Sequence, residues 1–301
     1  MKKFIAFTVL FLLGVCAIMA VYAFLNKKNL AAPRITNSYS LNEKLKFVDA
    51  ENKNIIAIGS SMTFNNLVSE EIVEIFDDTS YVNLGSWGLS AKNIAELTIL
   101  FTNMYKPDKV ICCGNVMDFN EQEFMVEYDT STIKNYINSG ASWIYYFLKF
   151  DAPYIIEKSK ENKLNYRTDT LLSTLQFDEY GGAVLSDYPF QKIEKRWNDT
   201  LNFKAIPENY YAIFDSLSAR LYSQNIQFIY LQSPLREGLV TPHYNEKLKI
   251  HKERLKTTLK KYNHIFVDAT KRTWADSLFH DNTHMKRSAA KALTRFLKYK
   301  E

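Results

Sequence analysis

Cysteine is scarce in this chain: Cys16 lies in an apolar run, while Cys112 and Cys113 are neighbours in a strand pattern. No disulfide framework can be built from these three, so a chain of 301 residues must be held by its core. Glycine and proline are also sparse, at 9 and 7, which excludes collagen-like and low-complexity architectures. Charge of one sign never accumulates; the net +5 is mild, and no basic block with interleaved aromatics calls for a nucleic-acid partner. Aromatics are plentiful instead, with 20 Phe and 19 Tyr, implying a large aromatic core or a groove lined with rings.

Phe4 to Leu25 carries no charge and is almost wholly apolar, flanked by Lys2-Lys3 and Lys27-Lys28. As a helix it would be roughly 33 Å long, against about 30 Å for a bilayer core. Residues 1–28 therefore read as an N-terminal membrane anchor or signal segment. Val21-Tyr22-Ala23 offers a signal-peptide cleavage pattern, but the run exceeds the usual apolar region of such peptides. Leu13-Gly14-Val15-Cys16 is a poor lipoprotein site, since Val precedes the Cys and the apolar run continues past it. An uncleaved span is the preferred reading. The short basic N-terminus argues for an extracytoplasmic domain, although lysines at both ends weaken the rule. Residues 29–46, with Pro33 among polar positions, read as a linker.

From Asn54 the chain alternates between strand and helix patterns. Asn54-Ile55-Ile56-Ala57-Ile58 reads as a strand covered on both faces, and it runs directly into Gly59-Ser60-Ser61. Gly59 permits a sharp turn that lifts a serine hydroxyl out of the sheet. A helix capped at Ser69 follows, then a strand Tyr81 to Leu84 that exits at Gly85-Ser86-Trp87-Gly88. A helix capped at Ser90 and closed by Pro107 leads to the strand Lys109 to Cys113, which exits at Gly114-Asn115. The rhythm is lost over an aromatic-rich insertion, about 116–206, carrying Trp143, Tyr145, Tyr146, Phe147 and Phe150, and resumes at Pro207. Ile226 to Leu231 and Ile265 to Asp268 are the remaining strands, separated by a basic amphipathic helix from about Tyr244 to Tyr262. Lys286 to Lys298 closes the chain as a helix. The pattern predicts an α/β fold, a three-layer α/β/α sandwich on a five-stranded parallel sheet, occupying residues 47–301.

In such a sheet the chemistry gathers at the C-terminal ends of the strands. Ser61, Gly88 and Asn115 follow the first three strands, and Asp281 with His284 precedes the final helix. His284 could take the Ser61 hydroxyl proton while Asp281 holds the imidazole in the needed tautomer. Backbone N–H groups of Ser61 and Gly88, with the amide of Asn115, could form an oxyanion hole. His280 and His284 also read as a His-x-x-x-His pair, a zinc alternative ranked below the triad because no third ligand is evident. The other histidines read as a packing residue, His251, and two exposed ones, His243 and His264.

These residues resemble the SGNH hydrolases, also called GDSL-like lipases and acylhydrolases. The resemblance lies in four blocks: Gly59-Ser60-Ser61-Met62, Asn83 to Gly88, Gly114-Asn115 and Asp281-Asn282-Thr283-His284. It implies a flavodoxin-like SGNH fold, Ser61 as nucleophile with His284 and Asp281, and Ser61, Gly88 and Asn115 as the oxyanion hole, with no cofactor or metal. Two positions depart from the family pattern. Ser60 stands where Asp is usual, and Val116 where Asp often follows the asparagine. The Gly-Ser-Ser version is similar to membrane-anchored members, DltD-like and alginate-acetylation-like, that act on acyl groups of surface polysaccharides. The resemblance therefore implies a serine-dependent hydrolase or acyltransferase acting on O-acyl, chiefly O-acetyl, groups of an extracytoplasmic glycan in the cell envelope. A membrane O-acyltransferase is a candidate partner. The rival from another class is a non-catalytic glycan-binding or assembly protein with the same fold.

Overall fold

Five short runs of apolar residues form one parallel sheet in the order β2-β1-β3-β4-β5. Strand β1 is Ile55–Ala57, β2 Tyr81–Asn83, β3 Lys109–Gly114, β4 Gln227–Gln232 and β5 Ile265–Asp268. The computed structural model describes residues 1–25, 30–48, 51–119, 126–139, 145, 148–149, 151–165, 177–187 and 206–298. Ile56 pairs with both Val82 and Val110, and Ile111 with Ile229, so the strands run in register with all their C-terminal ends on one edge.

Alternation along each strand sends side chains to two layers. Ile56, Ile58, Val110, Cys112, Phe228 and Tyr230 pack on one face, with α5 (Ala91–Tyr105), α8 (Glu208–Ser223) and α9 (Pro242–Lys261). Ile55, Ala57, Ile111, Cys113, Ile229 and Leu231 pack on the other, with α3 (Ser61–Asn66), α4 (Ser69–Phe76) and α10 (Arg287–Thr294). This is the expected α/β/α sandwich. The chain crosses between faces where β1 meets β3, the switch point at which such sheets open a crevice.

Local chemistry sets the element ends. Ser90 and Asn93 form a reciprocal capping box on α5, which stops where Lys106 turns left-handed at φ 48 ahead of Pro107. Thr241 caps α9, with Pro242 as its first residue. Helix α4 begins at Ser69 itself, with Val68 in the cap position and no side-chain cap bond, so the expected Ser69 cap is corrected.

Residues 30–48 correct the linker reading. They contain α2 (Tyr39–Lys44), and Ala31, Leu41 and Leu45 are buried. Ala32 N–H donates to Glu43 Oε1 at 2.6 Å and Asn42 bonds the Thr36 backbone in both directions, so this arm belongs to the domain body. Ahead of it, α1 (Lys2–Leu25) is one unbroken helix whose segment Lys2–Met19 is long and apolar enough to cross a membrane and is nowhere buried. That fits either an anchor or a signal sequence. In the insertion, α6 (Thr130–Asn138) and α7 (Ala152–Asn165) are helical, whereas Trp143, Tyr146, Phe147 and Phe150 lie outside the described residues.

The histidines divide differently from expectation. His264 is buried, its Nδ1 accepting from Phe228 N–H at 3.2 Å and its Nε2 donating to the Ser218 carbonyl at 2.9 Å, because the position closes the turn into β5. His251 on α9 is wholly buried, bonded to Tyr211 Oη at 3.0 Å and edge-on to Phe119 at 4.6 Å. Burial, aided by the neighbouring charge of Lys252, pushes the His251 imidazole down to about 3. Unfolded, a histidine protonates near 6.5. The contribution of neutral His251 to stability is therefore complete above that value and lost as pH falls toward 3. Denaturant unfolding of the native chain and of His251→Gln should accordingly converge as pH drops, the gap closing by about 3 kcal/mol between pH 7 and 4. A gap independent of pH would show that His251 binds its proton alike in the folded and the unfolded chain, and that burial does not hold it neutral.

Candidate active site

The turn after β1 is shaped by a close approach rather than by unusual backbone angles. A Cβ on Gly59 would stand 2.1 Å from Thr63 Oγ1 and 2.9 Å from Thr63 Cβ, so only glycine lets α3 fold back onto its own strand. Ser60 caps α3, its Oγ accepting Met62 N–H at 3.3 Å, and the residue is buried. Ser61 opens the helix and is half-buried, with no side-chain hydrogen bond among the described residues. Of the two serines, the candidate nucleophile Ser61 is the one whose hydroxyl is not taken up by the helix cap.

Helix α3 carries three buried polar residues, Thr63, Asn65 and Asn66, and each ties a different loop. Thr63 Oγ1 donates to Cys113 C=O at 2.8 Å and accepts Cys113 N–H at 2.9 Å, fixing the helix to β3. Asn65 Oδ1 accepts Trp87 Nε1–H at 2.8 Å, and its Nδ2 donates to Ala183 C=O at 2.6 Å. Asn66 brackets His284: its Nδ2 donates to Thr283 C=O and its Oδ1 accepts Met285 N–H, each at 2.9 Å. Sequence reading passed over these residues. Two adjacent asparagines in a six-residue helix, where both are poor formers, were the available signal.

The glycine block after β2 lies against the same helix. A Cβ on Gly85 would fall 2.8 Å from the Phe64 backbone nitrogen. Ser86 N–H donates to Gly59 C=O at 3.0 Å, Ser86 Oγ meets Ser40 Oγ at 2.7 Å, and Trp87 N–H donates to Ser40 Oγ at 3.2 Å. Gly88 is left-handed at φ 75, a conformation that disfavours side chains. After β3, Asn115 is buried, its Oδ1 accepting Met117 N–H at 2.8 Å, which leaves the amide NH2 as its donor end.

Asp281 and His284 meet directly. His284 Nδ1 and Asp281 Oδ2 are 2.7 Å apart, and Asp281 Oδ1 accepts the N–H groups of Thr283 and His284 at 2.9 and 2.8 Å. Burial opposes charge on Asp281, but adjacent His284 and these hydrogen bonds hold its carboxyl well below the usual carboxylate range. The carboxylate fixes the proton on Nδ1 and leaves Nε2 as the basic atom. That Nε2 is buried and has no hydrogen-bond partner among the described residues. The segment is a turn, not a helix: His280 N–H donates to His284 C=O at 2.8 Å inside an antiparallel bridge between Phe279 and Met285. The one-turn helical spacing that a His-x-x-x-His metal pair relies on is therefore missing.

Asp281 and His284 are thus brought into contact; Ser61, Gly88 and Asn115 stand on the exits of β1, β2 and β3, and α3, which Ser61 opens, is tied to the His284 loop through Asn66. No protein-family model matches the chain, and none of the curated proteins does. Several solved structures are similar in the course of the chain. One is a protein assigned to the G-D-S-L lipolytic family from Desulfitobacterium hafniense, 14% identical, covering 83% of this chain and 99% of its own at a TM-score of 0.43. A catalytic mutant of an acetylxylan esterase from Geobacillus stearothermophilus is 13% identical, with 83% and 94% covered and a TM-score of 0.43. An alpha/beta hydrolase enzyme from the metagenome of Lake Arreo is 12% identical, with 84% and 95% covered and a TM-score of 0.44.

Asn66→Ala would leave the Thr283 carbonyl and the Met285 amide unpaired in a buried place. The cost should be about 2–4 kcal/mol in denaturant unfolding. Stability equal to the native chain would remove Asn66 as the tie between α3 and the His284 loop.

Proposed function

We propose that this chain is a serine-dependent acyl-ester enzyme, a hydrolase or acyltransferase acting on O-acyl, chiefly O-acetyl, groups of an extracytoplasmic glycan. The observation that carries the reading is the Asp281–His284 pair, whose Nε2 is unpartnered among the described residues and whose loop is bonded at Thr283 and Met285 to the helix that Ser61 opens. The apolar helix α1 ahead of the domain supports a location at the membrane, and the short basic N-terminus before it favours a domain on the extracytoplasmic side.

In this reading His284 Nε2 removes the Ser61 proton as Oγ attacks the ester carbonyl. The tetrahedral oxyanion is met by the N–H groups of Ser61 and Gly88 and by Asn115 Nδ2, each such donor being worth about a hundred- to a thousandfold in rate. Collapse breaks the bond to the sugar oxygen, which leaves with the proton held on His284. Acyl-Ser61 remains. Water or a second sugar hydroxyl then attacks that ester, giving hydrolysis or transfer by the same residues. A membrane O-acyltransferase is a fitting partner for the transfer route. The contact between Asp281 and His284 stabilises the imidazolium formed at each attack.

The test is turnover of a small activated acetyl ester together with intact-mass detection of an acetyl adduct. Ser61→Ala should abolish the adduct and lower turnover by at least about 10³-fold, and His284→Ala should do nearly as much. Ser60→Ala should keep the adduct. Loss of the adduct in Ser60→Ala but not in Ser61→Ala would reassign the nucleophile. A folded native chain with neither turnover nor adduct would favour a non-catalytic glycan-binding protein on the same fold.

A further inference from the structure

The nucleophile turn lacks the carboxylate expected at position 60, and position 116 after the asparagine is Val. A carboxyl nevertheless lies between the two. Asp118 stands in the short 3-10 turn Val116–Phe119 that follows β3, and it is 4% exposed. Its Oδ2 accepts Asn115 N–H at 3.0 Å, and its carboxyl lies beside the Ser60 hydroxyl, which favours its charged form. The seat is tight: a Cβ on Gly114 would meet Asp118 Oδ2 at 2.8 Å and Tyr230 Oη at 2.7 Å. One side chain thus holds the residue that caps the nucleophile helix and the backbone of the candidate oxyanion amide.

The groups facing Asp118 come from three elements. Cys112 and Cys113 belong to β3 and Tyr230 to β4, and burial pushes all three upward, so they stay neutral. His284, on the loop before α10, is the group whose positive charge Asp118 feels. No lysine or arginine pairs with Asp118 among the described residues.

We propose that Asp118 is a positioning residue: through Ser60 and the Asn115 amide it aligns the nucleophile turn with the oxyanion donor, and its charge favours protonated His284. This rests on the acyl-ester reading above. Burial pushes the Asp118 carboxyl up to about 7, against the hydrogen bonds from Ser60 and Asn115 and the charge of His284. Asp118 is accordingly neutral in mild acid and charged in mild base, and its support of the imidazolium grows across the neutral range.

The full chain in detergent, as native protein, Asp118→Asn, Ser60→Ala and the double variant, separates the outcomes. Asparagine keeps an acceptor for Ser60 and Asn115 N–H but carries no charge. Imidazole NMR should show His284 losing its proton at lower pH in Asp118→Asn than in the native chain. With an activated acetyl ester, kcat/KM of Asp118→Asn should fall about tenfold at pH 8 and less at pH 6, where native Asp118 is itself protonated, with KM little changed. The double variant should be no worse than its worse single parent, since both act through one contact. An unchanged His284 midpoint, an unchanged pH profile, or single losses that multiply would overturn the role. A shifted midpoint in a chain that leaves every ester untouched would keep the Asp118 coupling and sink the acyl-ester reading instead.

Discussion

The loops at the sheet edge are held by six residues, Ser61 to Asn66, packed so closely on β1 that Gly59 cannot carry a side chain. A helix this short has little stability of its own. It persists because its side chains are spent outward, Thr63 on β3, Asn65 on Trp87 and residue 183, and Asn66 on both sides of His284. Asn83 closes the ring by donating from Nδ2 to Thr63 C=O at 3.0 Å while its Oδ1 accepts Gly85 N–H at 2.9 Å. Apart from half-buried Trp87, these residues are buried, where an unmade hydrogen bond costs more than a made one returns. The site loops therefore share one alignment, and displacement of α3 would disturb each of them.

The arm of residues 30–48 is drawn into the same network by a lysine. Lys44 is wholly buried, donating to Asn83 C=O at 3.0 Å and to the Gly181 carbonyl, with its ammonium 4.1 Å from the centre of the Phe64 ring. Burial lowers its proton affinity well below that of a free lysine, and the nearby charge of Asp178 acts the other way. Removing a partner from a buried charge is costly. Lys44 thereby joins the arm, the glycine block, α3 and the segment around Gly181 into one body. That explains why a stretch with the polar look of a linker is ordered: its polar groups are satisfied internally.

Periodicity made the sandwich legible, because each strand of a doubly covered sheet is a short apolar run and the first three exits carry a glycine. Residues with distinctive chemistry, Asp281 and His284 above all, were legible by type and spacing. What was not legible is the polar interior. Asn66 and Thr63 drew no reading, His264 read as an exposed residue, and Asp118 as part of an insertion, because periodicity reports burial only through apolar side chains. A polar residue buried with its partners supplied gives no such signal. The two departures at positions 60 and 116 were visible as losses, while the carboxyl brought in from position 118 required the course of the chain after β3.

His284 is consequently flanked by two carboxyls of opposite character, the pattern that marks divided labour in acid–base sites. Asp281 accepts the His284 ring N–H and two backbone N–H groups, so it stays ionised. Asp118 accepts fewer bonds in a comparably buried seat, so burial prevails and its proton is held to about 7. The two act on stability with opposite signs. Ionised Asp281 stabilises the fold above the usual carboxylate range and loses that effect as pH falls, whereas protonated Asp118 stabilises it in acid and loses that effect as pH rises toward 7. A site tuned only for stability would need neither extreme. In the proposed mechanism, keeping Asp118 near its transition in the neutral range would let a single imidazole gain support when it takes a proton, without a second permanent charge beside it to hold that proton once the leaving oxygen needs it.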